Sequence, residues 1–451
     1  MPQLSDQAIS REGWGSRLGF MLASVGSAVG LGNMWRFPYA TSEHGGAAFV
    51  FLYIVMVFAM GIPLMGCEFV VGRHTKLSPV GALRTLGGRH WAIVGHLFVL
   101  VGFCILAYYS VITGWTLRYA IEALTIGLPA DPAAHFDQVA TGHDALAFHL
   151  LSMTVMIAVV AGGVRSGIER TSFILMPALF ILIIGLAIWA FTLDGAAAGY
   201  SFYLKTDFGK LFSLKVLVAA AGQAFFSLSL GMGAMLTYAS YLSRKENLPV
   251  AAVTISTADF LVAFIAGLVV FPIIFAFDLS GEISESTLGA LFIGLPKAFA
   301  AMGNAGRFVA FMFFATLLVG ALTSGISLLE VVTASAMDGK HHAARKKAAL
   351  FMGAIIALVG APCAYDLEIL AIFDQVVGNV LLASGALALA FLVGWKMKNP
   401  TEEIAHGFEG PSWMLKGWHL TLRFVVPPVL ILVLYQSIQD TWVVVGGMLS
   451  N

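Results

Sequence analysis

Long apolar runs constrain this chain more than any other feature. Windows of mostly apolar residues recur near 14–40, 45–71, 90–125, 146–163, 169–191, 217–243, 249–277, 306–337, 348–363, 368–395 and 419–447. Nearly all reach the roughly 20 residues that a helix needs to cross a bilayer. Inside hydrocarbon every backbone polar group must be paired within the protein, which leaves helices or a closed barrel. Strict two-residue alternation, the mark of a membrane β-strand, is missing from all of these windows. The expected fold is therefore an all-α polytopic membrane protein with about 11 transmembrane helices. Only 11% of residues are charged, against about 25% in soluble domains. The 25 basic and 25 acidic residues balance, so no nucleic-acid partner is expected. Cys67, Cys104 and Cys363 all sit in apolar runs and make no disulfide framework. The first span starts almost at once beside Arg11 and Arg17 and lacks the short core and small-residue cleavage site of a signal peptide.

Basic residues cluster on one set of connecting segments, including Arg73, Lys76, Arg84, Arg89, Lys340 and Arg345 to Lys347. The stretch 126–145 carries Asp131, Asp137 and Asp144 but no Lys or Arg. The positive-inside rule then places the N-terminus inside and the C-terminus outside.

Two spans look interrupted. Gly26-Ser27-Ala28-Val29-Gly30-Leu31-Gly32-Asn33 lies at the middle of the first, and Ser227-Leu228-Ser229-Leu230-Gly231-Met232-Gly233 at the middle of the sixth. Glycine weakens a helix interior by about 1 kcal/mol relative to alanine. Either run alone is equally readable as close helix packing through small residues. Both, however, open a set of five spans, and matched breaks in two halves point to an inverted-repeat transporter with a midplane site. Charges at membrane depth each call for a partner; the candidates are Arg36, Glu68, Asp259, Glu330 and Asp374. Asp259 lies furthest from any interface. Gly320, Thr323 and Ser324 share one face of span 8, where a carbonyl and two hydroxyls suit a hard cation or simply bond within their own helix.

The run Arg11-Glu12-Gly13-Trp14, followed by residues 26–39 through Trp35-Arg36-Phe37-Pro38-Tyr39, resembles the first-helix signature of the neurotransmitter:sodium symporter family. Gly61-Ile62-Pro63-Leu64 with Glu68, and residues 222–231 from Gly222-Gln223 to Leu230-Gly231, resemble its second and sixth helices. The similarity is greatest to the eleven-span bacterial branch that takes several hydrophobic amino acids. It implies the five-plus-five inverted-repeat fold of the bacterial leucine transporter type, with helices 1 and 6 broken. Residues 1–191 would hold the N-terminal region and first repeat, 192–216 an extracellular loop, 217–395 the second repeat, and 396–451 a cytoplasmic loop and span 11.

The resemblance also implies roles for residues. One Na⁺ would be held by Ala28, Asn33, Ser227 and Asp259 together with the substrate carboxylate. A second would be held by Gly26, Val29, Gly320, Thr323 and Ser324. The substrate would meet Ala28, Gly30, Gly32, Tyr109, Ser227 and Ser229, with Ile105, Ile112, Phe226, Met232 and Leu328 around its side chain. Arg36 with Asp374 would form an extracellular gate, and Arg11 with Asp338, supported by Trp14, Ser240 and Tyr241, a cytoplasmic one. Asp259, among Tyr53, Gln223 and Ser227, would stand in for chloride. Gly167 and Pro177 would form a helix-5 hinge that releases sodium. Monoamine members carry an aspartate where Gly30 stands, so an α-amino acid is favoured.

The expected function is sodium-coupled import of hydrophobic L-amino acids by alternating access in a bacterial inner membrane. Two Na⁺ are the expected ions, with the bilayer and a small amino acid as partners and no obligate protein partner. Uptake of a single amino acid or a small osmolyte is the nearest alternative. A channel or sensor on the same fold is a further one. An enzyme is disfavoured because no metal-ligand cluster or nucleophile–base pair is legible.

Overall fold

The computed structural model describes residues 12–205, 209, 213–279, 287–338 and 344–449. Its regular structure is helical throughout the described residues, with no strand. Among the described residues nine continuous helices are long and apolar enough to cross a membrane: Ala47–Thr75, Arg89–Leu124, His143–Ala161, Val164–Ala190, Leu248–Ala276, Asn304–Met337, Arg345–Ala364, Leu367–Lys396 and Ser412–Val444. They are spans 2–5 and 7–11 of the sequence reading. Span 1 is the pair Arg17–Ala28 and Gly32–Glu43, bent by 45°. Span 6 is divided into Leu214–Ser227 and Ala234–Ala239. Short helices Pro132–Ala140 and Ala196–Leu204 lie in the connections after spans 3 and 5.

The breaks have identifiable chemical causes. Helix 1 stops at Val29, whose ψ of 105° is extended. Two N–H groups released there find side-chain acceptors: Gly30 N donates to Asn33 Oδ1 at 2.9 Å and Leu31 N to the Tyr109 hydroxyl at 3.1 Å. In span 6 the chain turns through Ser229, Gly231 and Gly233, all with positive φ, a conformation that glycine adopts without penalty. The buried Glu68 carboxylate takes Gly231 N at 2.8 Å and Leu236 N at 3.0 Å. One carboxylate thus ties the turn to the second half of span 6, because unpaired N–H groups in an apolar interior cost free energy comparable to a lost hydrogen bond.

Burial orders the bundle from centre to rim. The core window of span 8 is 72% buried and that of span 11 only 28%. Span 8 therefore sits beside the broken helices, and Ser27 Oγ joins Ser327 Oγ at 2.8 Å across that interface. Exposed Leu, Ile and Phe on the outer spans meet lipid, where apolar surface carries no penalty.

Candidate functional site

The two breaks lie side by side: Ser229 Oγ donates to Ser27 O at 2.8 Å. Between them and span 3 is a cavity of about 30 Å³ lined by Ala28, Gly30, Gly32, Ile105, Tyr109, Phe226, Ser227, Ser229, Met232, Ser324 and Leu328. Every expected substrate contact is there except Ile112, which is wholly buried and does not line the cavity. Gly30 has no room for a side chain. A Cβ on it would stand 2.5 Å from Ser324 Oγ and 2.9 Å from the Tyr109 hydroxyl. One on Gly32 would meet the Phe226 ring at 3.0 Å.

Asp259 is fully buried and forms no ion pair among the described residues. Its carboxylate accepts from Asn33 Nδ2 at 2.7 Å, Ser227 Oγ at 2.8 Å and Tyr53 OH at 3.3 Å. All three donors are neutral. A buried carboxylate surrounded by neutral oxygens and an amide has the charge and the hard donor set that a Na⁺ wants. Ala28 lines the cavity together with Ser227, one of these donors. Gln223 does not touch Asp259: its Nε2 donates to Gly32 O at 2.9 Å, and its Oε1 is buried without a partner.

The second predicted donor set lies where span 8 meets the break in helix 1. Ser324 Oγ lies 3.3 Å from each of the Gly26, Ser27 and Val29 carbonyls. Thr323 Oγ1 bonds within its own helix, to the Val319 and Gly320 carbonyls at 2.9 and 3.1 Å, and Gly320 brings span 8 against Val29 O and Met34. Helix 1 supplies the bare carbonyls because its break leaves them without intrahelical donors.

The expected outer pairing is rearranged. Arg36 Nη2 donates to Asn379 Oδ1 rather than to Asp374, and its guanidinium lies 4.4 Å from the centre of the Phe226 ring. Asp374 instead accepts from Tyr108 OH at 2.9 Å. The physical reason is the winding of span 10, π-helical over Asp374–Leu381, which re-aims its polar side chains.

At the opposite end, Arg11 lies outside the described residues. Asp338 accepts from the Ser78 hydroxyl, Trp14 Nε1 donates to Tyr238 O at 3.0 Å, and Ser240 Oγ bonds Thr237 O. Tyr241 donates to Glu330. Glu330 also binds Arg345, which reaches Glu12 at 3.2 Å and Val160 O at 3.0 Å. Glu169 secures the start of helix 1 by accepting from Gly15 N at 2.6 Å and Ser16 Oγ at 2.7 Å. Gly167 occupies a π-wound turn at Val164–Glu169, against the Val159 carbonyl, and Pro177 lies inside the helix Arg170–Ala190. The segment between them is helical here.

Sequence reasoning identified Glu330 as a charge at membrane depth but not its partner. Arg345 had been read as a topological charge, and fifteen residues separate the two. Asn379 and Glu169 carried no composition signal, since an amide or a carboxylate near a helix end is ordinary.

A family model described as the sodium:neurotransmitter symporter family matches residues 11–146 and 137–444. The chain belongs to this family. It is 34% identical over 443 residues to the uncharacterized sodium-dependent transporter YhdH of Bacillus subtilis, covering 93% of this chain and 96% of that one. It is 33% identical over 454 residues to an uncharacterized sodium-dependent transporter of Haemophilus influenzae, covering 95% and 98%. Its fold is similar to the crystal structure of MhsT in complex with L-phenylalanine, with a TM-score of 0.86, 39% identity, and coverage of 95% of this chain and 100% of that one. The symporter is thus a sodium-dependent, multi-pass membrane transporter with the five-plus-five fold, and not an enzyme.

Proposed function

We propose that this symporter uses the sodium gradient to import hydrophobic L-amino acids, aliphatic and aromatic, without a chloride requirement. One observation carries the ion side of the reading: Asp259, fully buried, has only neutral hydrogen-bond donors around it. A bound Na⁺ supplies the missing counter-charge. The fixed negative charge of Asp259 beside Tyr53 and Ser227, with Gln223 one helical turn before Ser227, makes an added anion unnecessary. Ala28, Asn33 and Ser227 complete that sodium site, with Gly26, Val29, Gly320, Thr323 and Ser324 as the second. The two donor sets support a stoichiometry of two ions.

The substrate side rests on the cavity wall. Tyr109 and the backbone at Gly30 and Gly32 form its polar end, where N–H groups at a helix break favour a carboxylate. Ile105, Phe226, Met232 and Leu328 form its apolar end. Met232 is unbranched and polarizable, which suits side chains of more than one shape. The crowding at Gly30 leaves no space for the acidic side chain that an amine-only ligand requires. MhsT, bound to L-phenylalanine, supports the same reading. The transporter lies in a bacterial cytoplasmic membrane with its N-terminus inside and C-terminus outside, and the Gly167–Pro177 segment opens to release sodium.

Proteoliposomes loaded with potassium and diluted into sodium are expected to accumulate labelled leucine, with tyrosine and tryptophan competing. Replacing chloride by gluconate should leave uptake unchanged. If no hydrophobic amino acid accumulates or competes while proline or betaine does, the substrate reading falls to the osmolyte alternative. Sodium currents that exceed solute flux many-fold would replace transport with a channel.

A further inference from the structure

Two cavities face each other across one layer of side chains. Below it is the site cavity of about 30 Å³. Above it is a larger one of about 490 Å³, bordered by Arg36, Gln223, Gln375 and Asn379 among others. The layer consists of Phe226 with the Arg36 guanidinium stacked on its ring at 4.4 Å. Arg36 Nη1 is buried without a partner, so its position depends on this stacking and on the acceptor that Nη2 finds.

Span 10 offers two such acceptors, Asp374 and Asn379. Five residues apart in an α-helix, they would point about 140° from one another. The turn Asp374–Leu381 is wound as a π-helix, in which hydrogen bonds join residues i and i+5, so this spacing returns to the same face. Both side chains reach the layer. A Cβ on Gly378 would meet Asp374 Oδ1 at 2.9 Å, Tyr108 OH at 3.3 Å and Phe226 Cε2 at 3.7 Å. Of the two, Asn379 takes Arg36. Its Nδ2 donates to Gln375 Oε1 at 2.9 Å, which turns the amide oxygen toward the guanidinium. Asp374 is held by Tyr108 OH at 2.9 Å.

We propose that Asn379 is the positioning residue that holds Arg36 over Phe226, so that the π-wound turn closes the layer with a neutral clasp instead of an Arg36–Asp374 ion pair. The Arg36–Asn379 bond is charge-assisted through its donor alone, whereas an Arg36–Asp374 pair would add the attraction between two opposite full charges. An amide clasp therefore releases Arg36 more readily and leaves Asp374 available as a second acceptor on the same face. The inference rests on the cavity below Phe226 being the path of the transported solute.

The test reads access to that cavity without using any solute. In the full-length transporter with Cys104→Ala, a cysteine introduced by Ile105→Cys lies on the cavity wall; Cys67 and Cys363 are buried. Its labelling by a membrane-impermeant thiosulfonate, added in sodium from the side of the larger cavity, reports how often the layer opens. Asn379→Ala is expected to speed labelling about tenfold, the effect of losing one hydrogen bond to a charged group. Asn379→Asp, which makes an ion pair with Arg36, should slow labelling below the parent rate. Asp374→Asn still accepts from Tyr108 and should stay within about twofold. The proposal is overturned if Asp374→Asn accelerates labelling as much as Asn379→Ala, or if Asn379→Asp accelerates it. Should Asn379→Ala fail to elute as a folded protein, the other two variants decide alone: slower labelling in Asn379→Asp with a near-parent rate in Asp374→Asn supports the proposal, and acceleration in either overturns it. A mistaken substrate assignment abolishes leucine uptake but leaves this labelling order intact.

Discussion

Replacing Gly30 by alanine examines the pocket at its tightest point. The new methyl carbon would stand 2.5 Å from Ser324 Oγ, 2.9 Å from the Tyr109 hydroxyl and 3.3 Å from Ser324 Cβ. Neither hydroxyl is free to leave. Ser324 Oγ is shared among three helix-1 carbonyls at 3.3 Å, and Tyr109 accepts from Leu31 N at 3.1 Å. Overpacking of this kind costs about 1–3 kcal/mol. At about 1.4 kcal/mol per tenfold, binding weakens by roughly 5- to 150-fold. The displaced groups belong to two functions, so both readouts should move. In proteoliposomes the leucine concentration for half-maximal uptake rises, and so does the sodium concentration for half-maximal activation. Gly32→Ala is the control, because its methyl meets only the movable Phe226 ring, at 3.0 and 3.1 Å, ahead of the Ser227 Cα at 3.7 Å. It should weaken leucine and leave sodium activation unchanged. A Gly30→Ala transporter within twofold of the parent on both measures would refute the crowding argument and the exclusion of an acidic side chain at this position.

Three further outcomes follow from the same geometry. Asp259→Asn removes the one charge among the Asn33, Ser227 and Tyr53 groups and should either weaken sodium activation or make uptake depend on chloride; unchanged sodium curves in chloride and gluconate would count against its role. Arg345→Gln strands the fully buried Glu330 carboxylate, which typically costs about 3–5 kcal/mol. Adding Glu330→Gln should recover much of the lost melting temperature in detergent, whereas additive losses would argue against the pair. In the segment between spans 10 and 11, burial pushes the Glu403 carboxyl up, but hydrogen bonds from Arg73 and His74 outweigh it and hold it below its ordinary value of 4.5. A lowered folded-state value means that its stabilisation is complete above the ordinary value and is lost as pH falls through the lowered one. Glu403→Gln should therefore melt earlier at neutral pH, yet lose less on acidification than the parent does.

Much of the site was legible because its chemistry is local to short runs. Glycines clustered at mid-span are costly in a helix, and a lone aspartate at membrane depth has nowhere to be solvated; each stands out against an apolar background. What was hidden depends on residues far apart in the chain or on helix winding. Asp374 and Asn379 look like unrelated positions when counted at 3.6 residues per turn, and a local π turn brings both to one face. Ile112 shares the periodicity of the cavity-lining residues Ile105 and Tyr109, yet is wholly buried and does not line the cavity.

The sequence by itself determined that this chain spans a membrane as helices, that two of those helices break, and where a charge survives in the interior. Those follow from free energies of transfer, which depend on residue type and run length alone. Only the tertiary structure decided which groups pair: Glu68 with the freed amides of span 6, Glu330 with Arg345, and Arg36 with Asn379 in place of Asp374. Pairing is a matter of ångströms and of helix phase, and in a helical bundle these are set by how the spans pack against one another.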